Sequence, residues 1–136
     1  MKHILFLSLP LFLLMGAGCK TSNTEELTPE KNGTYEQITA TEAKSIIDSE
    51  TAHIILDVRT PEEYDAGHIE GAILLPDYEI GEKAETVLTD KNALILVYCR
   101  SGRRSKNAAS ELVTLGYTNI KEFGGIIDWP YGTVTE

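Results

Sequence analysis

ALILVYCRSGRRS, Ala93–Ser105, changes character at its cysteine. Ala93 to Tyr98 is a continuous apolar run rich in strand-forming residues. A run of that kind reads as a strand buried on both faces, as in a parallel sheet. Cys99 ends it. Arg100, Ser101, Gly102, Arg103 and Arg104 then put three arginines and a glycine into five positions. From Ser105 to Leu115 the apolar residues Ala108, Ala109, Leu112, Val113 and Leu115 recur at helical spacing, and Gly116 is placed to stop the helix. Strand, basic loop and helix in that order form one half of a parallel crossover.

The neighbouring sequence repeats the alternation. Tyr35–Thr39 is a short strand candidate, and Thr39 with Glu42 makes a capping box before a helix through Ala43, Ile46 and Ile47 to about Ser49. His53–Val58 is a second apolar, β-branched run. Thr60, Pro61 and Glu63 supply a second box with proline at the first helical position, and Gly67 keeps that helix short. Ala72–Pro76 reads as a strand, 77–88 as a helix, and Asn119–Phe123 as a last strand closed by Gly124 and Gly125. Strands alternating with helices imply an α/β fold, an open parallel sheet of about five strands with helices on both faces.

In such a sheet, sites form beyond the carboxyl ends of the strands, which is where Cys99 stands. The following helix turns its free N–H groups toward the loop, and Gly102 permits a turn in which successive amides point inward. Amides in that arrangement bind anions. A thiol in the same field, beside arginines, ionises more readily than a free one. The loop is thus suited both to make a nucleophile of Cys99 and to hold an anionic substrate. A small buried thiol with a packing role is the plain alternative.

The chain has 136 residues, with 12 Lys and Arg against 21 Asp and Glu, for a formal charge of −9. That balance argues against nucleic acid as a partner. It makes the clustering of Arg100, Arg103 and Arg104 more telling, because a local positive patch on an acidic body guides anions to one place. His53 and His68 have no paired cysteine or His spacing suited to a metal, and neither a metal site nor a cofactor is expected.

The first residues have a separate logic. Lys2, an apolar run from Ile4 to Met15, and then Gly16, Ala17 and Gly18 describe a secretory signal, residues 1–18. Ala17-Gly18-Cys19 resembles the end of a bacterial lipoprotein signal, with Gly16 where that pattern more often has a larger aliphatic residue. The resemblance implies lipid attachment at Cys19, anchoring to the cell envelope on its periplasmic or extracellular face, and Cys99 as the only free thiol of the mature chain. A secreted form cut nearby is the alternative. Residues 19–34 read as the lipid-bearing residue and a polar tether, with a root-mean-square reach of about 20 Å. Residues 35–136 are the folded domain, expected as a monomer.

The domain resembles the single-domain rhodaneses, the thiosulfate sulfurtransferase family, over roughly residues 36–131. The resemblance is carried by Cys99–Ser105, by Asp57-Val58-Arg59 with Glu63-Tyr64, by Gly67-His68-Ile69 with Gly71-Ala72 and Pro76, and by Gly124-Gly125-Ile126 with Trp129. It implies that Cys99 takes the outer sulfur from thiosulfate or a similar anionic donor, holds it as a persulfide, and passes it to cyanide or a thiol. Arg100, Ser101, Gly102, Arg103 and Arg104 would form the cradle. Asp57 and Arg59, as a buried pair, and His68, holding the loop before the third strand, would support the active loop rather than touch substrate. Trp129 and Tyr131 are packing or pocket-rim candidates. Two other readings share the loop: a non-catalytic lipoprotein that binds persulfide or anions, and a phosphatase or arsenate reductase. Related phosphatases carry an arginine six positions after the cysteine; here that position is Ser105, and Arg104 comes at five.

Overall fold

The computed structural model describes residues 34–135. The leader, Cys19 and all but the last residue of the expected tether lie outside the described residues. Five strands, β1 (Glu36–Gln37), β2 (Ile54–Asp57), β3 (Ile73–Leu74), β4 (Ile95–Cys99) and β5 (Ile120–Gly125), form one sheet in the order β1-β5-β4-β2-β3, and every pairing is parallel. The crossovers carry α1 (Ala40–Asp48), α2 (Pro61–Ala66), α3 (Ile80–Val87) and α4 (Arg103–Thr114). Short 3₁₀ turns at Asp77–Glu79 and Ile126–Asp128 complete the described chain.

β4 is central, between β5 and β2, and all five of its residues are buried. Its side chains alternate between two cores. Ile95, Val97 and Cys99 join Ala84, Leu88, Ala108, Ala109 and Leu112 on the face covered by α3 and α4. Leu96 and Tyr98 join Ala43, Ile55, Ile69, Ala72 and Phe123 on the face covered by α1. This two-sided burial is why the strand's sequence shows no polar alternation.

Both capping boxes form. Thr39 Oγ1 accepts the Glu42 N–H at 3.1 Å while Glu42 accepts the Thr39 N–H at 2.7 Å, and Thr60 and Glu63 do the same at 3.3 and 3.0 Å. The segment 77–88 splits into a 3₁₀ turn followed by α3. The larger corrections concern α4 and β5. α4 begins at Arg103, not Ser105, because Gly102 takes a left-handed conformation (φ +104°) that turns the chain into the helix within three residues of Cys99. β5 continues through Gly124 and Gly125, which belong to the strand rather than to a turn after it.

Candidate active site

Cys99 closes β4 and is 1 % exposed, a free thiol at the floor of the loop that follows. The Gly102 N–H donates to its Sγ at 3.0 Å. Among the described residues, the N–H groups of Ser101, Arg103, Arg104 and Ser105 donate to no protein atom. They are the open donors of a helix N-terminus and the turn before it, in the segment that follows the cysteine.

The loop is closed from the β5 side by an absent side chain. A Cβ on Gly125 would lie 2.0 Å from the Arg100 carbonyl oxygen and 2.5 Å from the Ser101 Cα. Gly125 is also the register partner of Cys99, after a slip in the β4–β5 ladder between Val97 and Cys99. The Ile127 N–H donates to the Arg100 carbonyl at 3.2 Å and ties the loop to the turn beyond β5.

Of the five expected cradle residues, Arg100, Ser101 and Arg103 are exposed at the loop surface, Gly102 is buried and Arg104 is half-buried. Arg103 and Arg104 are not loop residues; they form the first turn of α4. The Arg104 guanidinium is committed to Glu63, with Nη1 2.7 Å from Oε2 and Nη2 2.8 Å from Oε1. That pair lowers the Glu63 carboxyl to about 2, chiefly through the bonds from Arg104 and despite burial. It raises Arg104, to which proximity of Cys99 contributes a smaller part. Arg104 therefore acts as a positive wall, not as a free arm. The hydrogen bond that the sulfur takes comes from the loop backbone, the Gly102 N–H.

Asp57 and Arg59 do form a buried pair. Arg59 Nε lies 3.0 Å from Oδ1 and Nη2 lies 2.7 Å from Oδ2, and Arg59 Nη2 also donates to the Gly67 carbonyl at 2.7 Å. The Tyr98 hydroxyl donates to Asp57 Oδ2 at 2.6 Å and accepts the Ile69 N–H at 3.1 Å. Burial, reinforced by the Asp57 carboxylate, pushes the Tyr98 phenol far up. Among the described residues, the hydrogen bonds of this network lead toward the active loop through Tyr98, the residue before Cys99. His68 sits elsewhere. Its ring stacks on Tyr64 at 3.7 Å, its Nδ1 lies 2.9 Å from the Tyr64 carbonyl oxygen, and its backbone pairs with Val134. It fastens the α2–β3 loop to the C-terminal segment, and among the described residues no hydrogen bond joins it to Cys99–Ser105. Trp129 and Tyr131 pack edge to face and line a cleft of about 260 Å³ with Lys44, Asp48 and Glu70.

Two site residues escaped the sequence reading. Ser105 is buried, and its Oγ lies 2.6 Å from Glu122 Oε1. Glu122, 2 % exposed, is a carboxylate within the sheet. Its signal was available: a lone acidic residue between Ile120 and Phe123 in a strand expected to be covered.

A parallel sheet whose central strand ends in a cysteine just before a helix N-terminus, with four N–H groups there that have no protein acceptor among the described residues, defines an open α/β protein with its thiol at the carboxyl edge of the sheet. The chain belongs to the rhodanese-like domain family, whose model matches residues 39–129. It is 42 % identical over 73 residues to thiosulfate sulfurtransferase PspE of Escherichia coli (strain K12), a match covering 54 % of this chain and 70 % of that one. It is 36 % identical over 88 residues to thiosulfate sulfurtransferase 16, chloroplastic, of Arabidopsis thaliana, covering 57 % and 73 %. A solved structure titled rhodanese with anions from E. coli superposes with a TM-score of 0.58 at 39 % identity, covering 62 % of this chain and all of that one.

Proposed function

We infer that this chain is a sulfurtransferase that carries sulfane sulfur from thiosulfate, or a similar anionic donor, to a thiophilic acceptor through a persulfide on Cys99. The observation that carries the reading is the geometry at Cys99: its sulfur takes the Gly102 N–H at 3.0 Å, and the N–H groups of Ser101, Arg103, Arg104 and Ser105, in the same turn and the first turn of α4, have no protein acceptor among the described residues.

The chemistry follows from that arrangement. The thiolate of Cys99 attacks the outer sulfur of thiosulfate. A new S–S bond forms, the donor's own S–S bond breaks, and sulfite leaves with the bonding pair. The persulfide's terminal sulfur now bears the negative charge, and the open amides are placed to receive it without a proton to give away. Cyanide or a thiolate then attacks that terminal sulfur and departs as thiocyanate or a new persulfide, and the Cys99 thiolate is restored. This is covalent catalysis with preorganised donors at the developing charge. The tight burial of Cys99 suits a donor that presents one small terminal atom. A phosphatase reading lacks its arginine: position six is Ser105, bonded to Glu122, and Arg104 is held by Glu63.

The same reading extends to the first residues on sequence alone. Residues 1–18 are removed, Cys19 carries lipid, and residues 19–34 tether the domain to the cell envelope. Support comes from the apolar run and the Ala17-Gly18-Cys19 ending. Mass spectrometry of the mature protein tests both ends together: lipid on Cys19, and a gain of one sulfur on Cys99 after thiosulfate. Thiocyanate formation from thiosulfate and cyanide is expected, and Cys99→Ala abolishes it. Sulfur loading with no turnover on any acceptor would leave a carrier instead of an enzyme, and no loading at all would refute the reading.

A further inference from the structure

Glu122 is a carboxylate where the fold calls for an apolar side chain. It lies on β5 against the fully buried β4, opposite Val97, at the last paired position before the ladder slips to join Cys99 with Gly125. Burying a carboxylate is expensive unless it is well hydrogen-bonded. Here Oε1 accepts the Ser105 hydroxyl at 2.6 Å and the Gly124 N–H at 2.8 Å. The first distance is typical of a hydroxyl donating to a carboxylate. Ser105 Oγ also lies 3.0 Å from the Gly102 carbonyl oxygen, and Gly102 is the residue whose N–H rests on the Cys99 sulfur. A Cβ on Gly102 would stand 4.0 Å from Glu122 Oε1, so the carboxylate lies directly beneath the turn.

We propose that Glu122 is a positioning residue for sulfur transfer. It takes the first turn of α4 through Ser105 and the end of β5 through Gly124, and so holds the left-handed turn at Gly102 with its N–H on the Cys99 sulfur. It touches neither substrate nor sulfur. An apolar residue in its place would leave the half-buried Gly124 N–H without its acceptor and the Ser105 hydroxyl with only the Gly102 and Gly124 carbonyl oxygens, and would free the turn. A glutamine would still offer one carbonyl oxygen to both donors, but would bring an NH₂ group into a space shaped around an acceptor. The kinetic part of this proposal rests on the sulfurtransferase reading; the geometric part does not.

The test compares Glu122→Met, Glu122→Gln, Ser105→Ala and the Glu122→Met/Ser105→Ala double variant in the full domain. Four quantities are read: kcat, KM for thiosulfate, the rate of Cys99 alkylation by iodoacetamide, and melting temperature. Misplacing a reacting group by about 1 Å costs roughly a hundredfold. Glu122→Met should therefore lose about 10- to 100-fold in kcat, with KM changed less than about threefold. Glu122→Gln should lose about threefold, Ser105→Ala should resemble Glu122→Met, and the double variant should be no worse than either, because all remove one linkage. Alkylation should slow about tenfold in Glu122→Met and Ser105→Ala. If both melt earlier yet turn over and alkylate at wild-type rates, Glu122 only fills the fold and the proposal is overturned. Should Glu122→Met not fold, Ser105→Ala decides by the same criterion. Should the wild type move no sulfur, the functional reading fails, and the alkylation rates alone still decide the role of Glu122.

Discussion

At the scale of the residue, the site depends as much on a missing side chain as on the thiol. Gly125 lets the Arg100–Ser101 backbone pass where any Cβ would overlap it, at 2.0 Å from the Arg100 carbonyl oxygen. The obstruction is backbone on both sides, so no rotamer change relieves it. Gly125→Ala must push the loop outward or part β5 from β4. Overpacking of this kind costs about 1–3 kcal/mol, and the displaced loop should lower sulfur transfer by about a hundredfold. Equilibrium urea unfolding and thiocyanate assays on the same preparation check both effects. A variant with wild-type kcat would show that the loop is not held against β5. The left-handed Gly102 makes a separate demand, because its Cβ would meet only ordinary contacts at 3.6 Å or more and the restriction lies in the backbone angle.

At the scale of the element, α2 and α4 are joined by one carboxylate with two tasks. Glu63 Oε2 accepts the Thr60 N–H at 3.0 Å to complete the cap of α2, and the same oxygen accepts from Arg104 Nη1 at 2.7 Å. Arginines in the first turn oppose the dipole of α4, and Glu63 offsets one of them. Its carboxyl is depressed from the ordinary 4.5 to about 2 in the folded chain. A depressed carboxyl contributes stability in full above its unfolded value, and that contribution is lost as pH falls through the folded value. The window is thus about pH 4.5 down to 2. Discounted for solvent screening of a partly exposed pair, the contribution is on the order of 1 kcal/mol. Glu63→Gln should be less stable than wild type by about that much at pH 7, with the difference shrinking through pH 4 and gone near pH 2. Urea titrations across that range measure it, and a difference independent of pH would assign the effect to the cap alone. This pairing spans 41 positions in sequence, which is why periodicity and spacing did not reveal it. What could be read early was local or continuous: the apolar runs of β2 and β4, both capping boxes, and the cysteine at the strand end. The start of α4 was misplaced because its cap is a left-handed glycine with no side chain to announce it. Glu122 was passed over because Ser105, 17 positions away in sequence, becomes its neighbour only once α4 packs on β5.

At the scale of the whole molecule, the cations without a carboxylate partner among the described residues fall in one short segment. Nine lysines and arginines lie among the described residues, and six of them sit within salt-bridge distance of a carboxylate: Lys44, Arg59, Lys83, Lys91, Arg104 and Lys121. The other three, Arg100, Arg103 and Lys106, have no such partner among the described residues, are all exposed, and fall within seven positions after Cys99. A chain of net charge −9 should repel a dianion everywhere else. Exposed charges of this kind act at a distance and are screened by salt, with a Debye length of about 10 Å at 0.1 M. The three cations therefore govern how fast the donor arrives more than how the sulfur moves. For wild type, kcat/KM for thiosulfate should fall about tenfold between low salt and about 0.5 M, while the kcat of loaded enzyme changes little. In Arg100→Gln/Arg103→Gln/Lys106→Gln the sign should reverse. With the patch gone, the acidic body dominates, and salt should raise kcat/KM by screening repulsion. Stopped-flow rates of sulfite release across a salt series measure both slopes, and parallel slopes in the two proteins would rule out a steering role for the patch. The reversal isolates the field from the loop backbone, since the amides after Cys99 are untouched by all three substitutions.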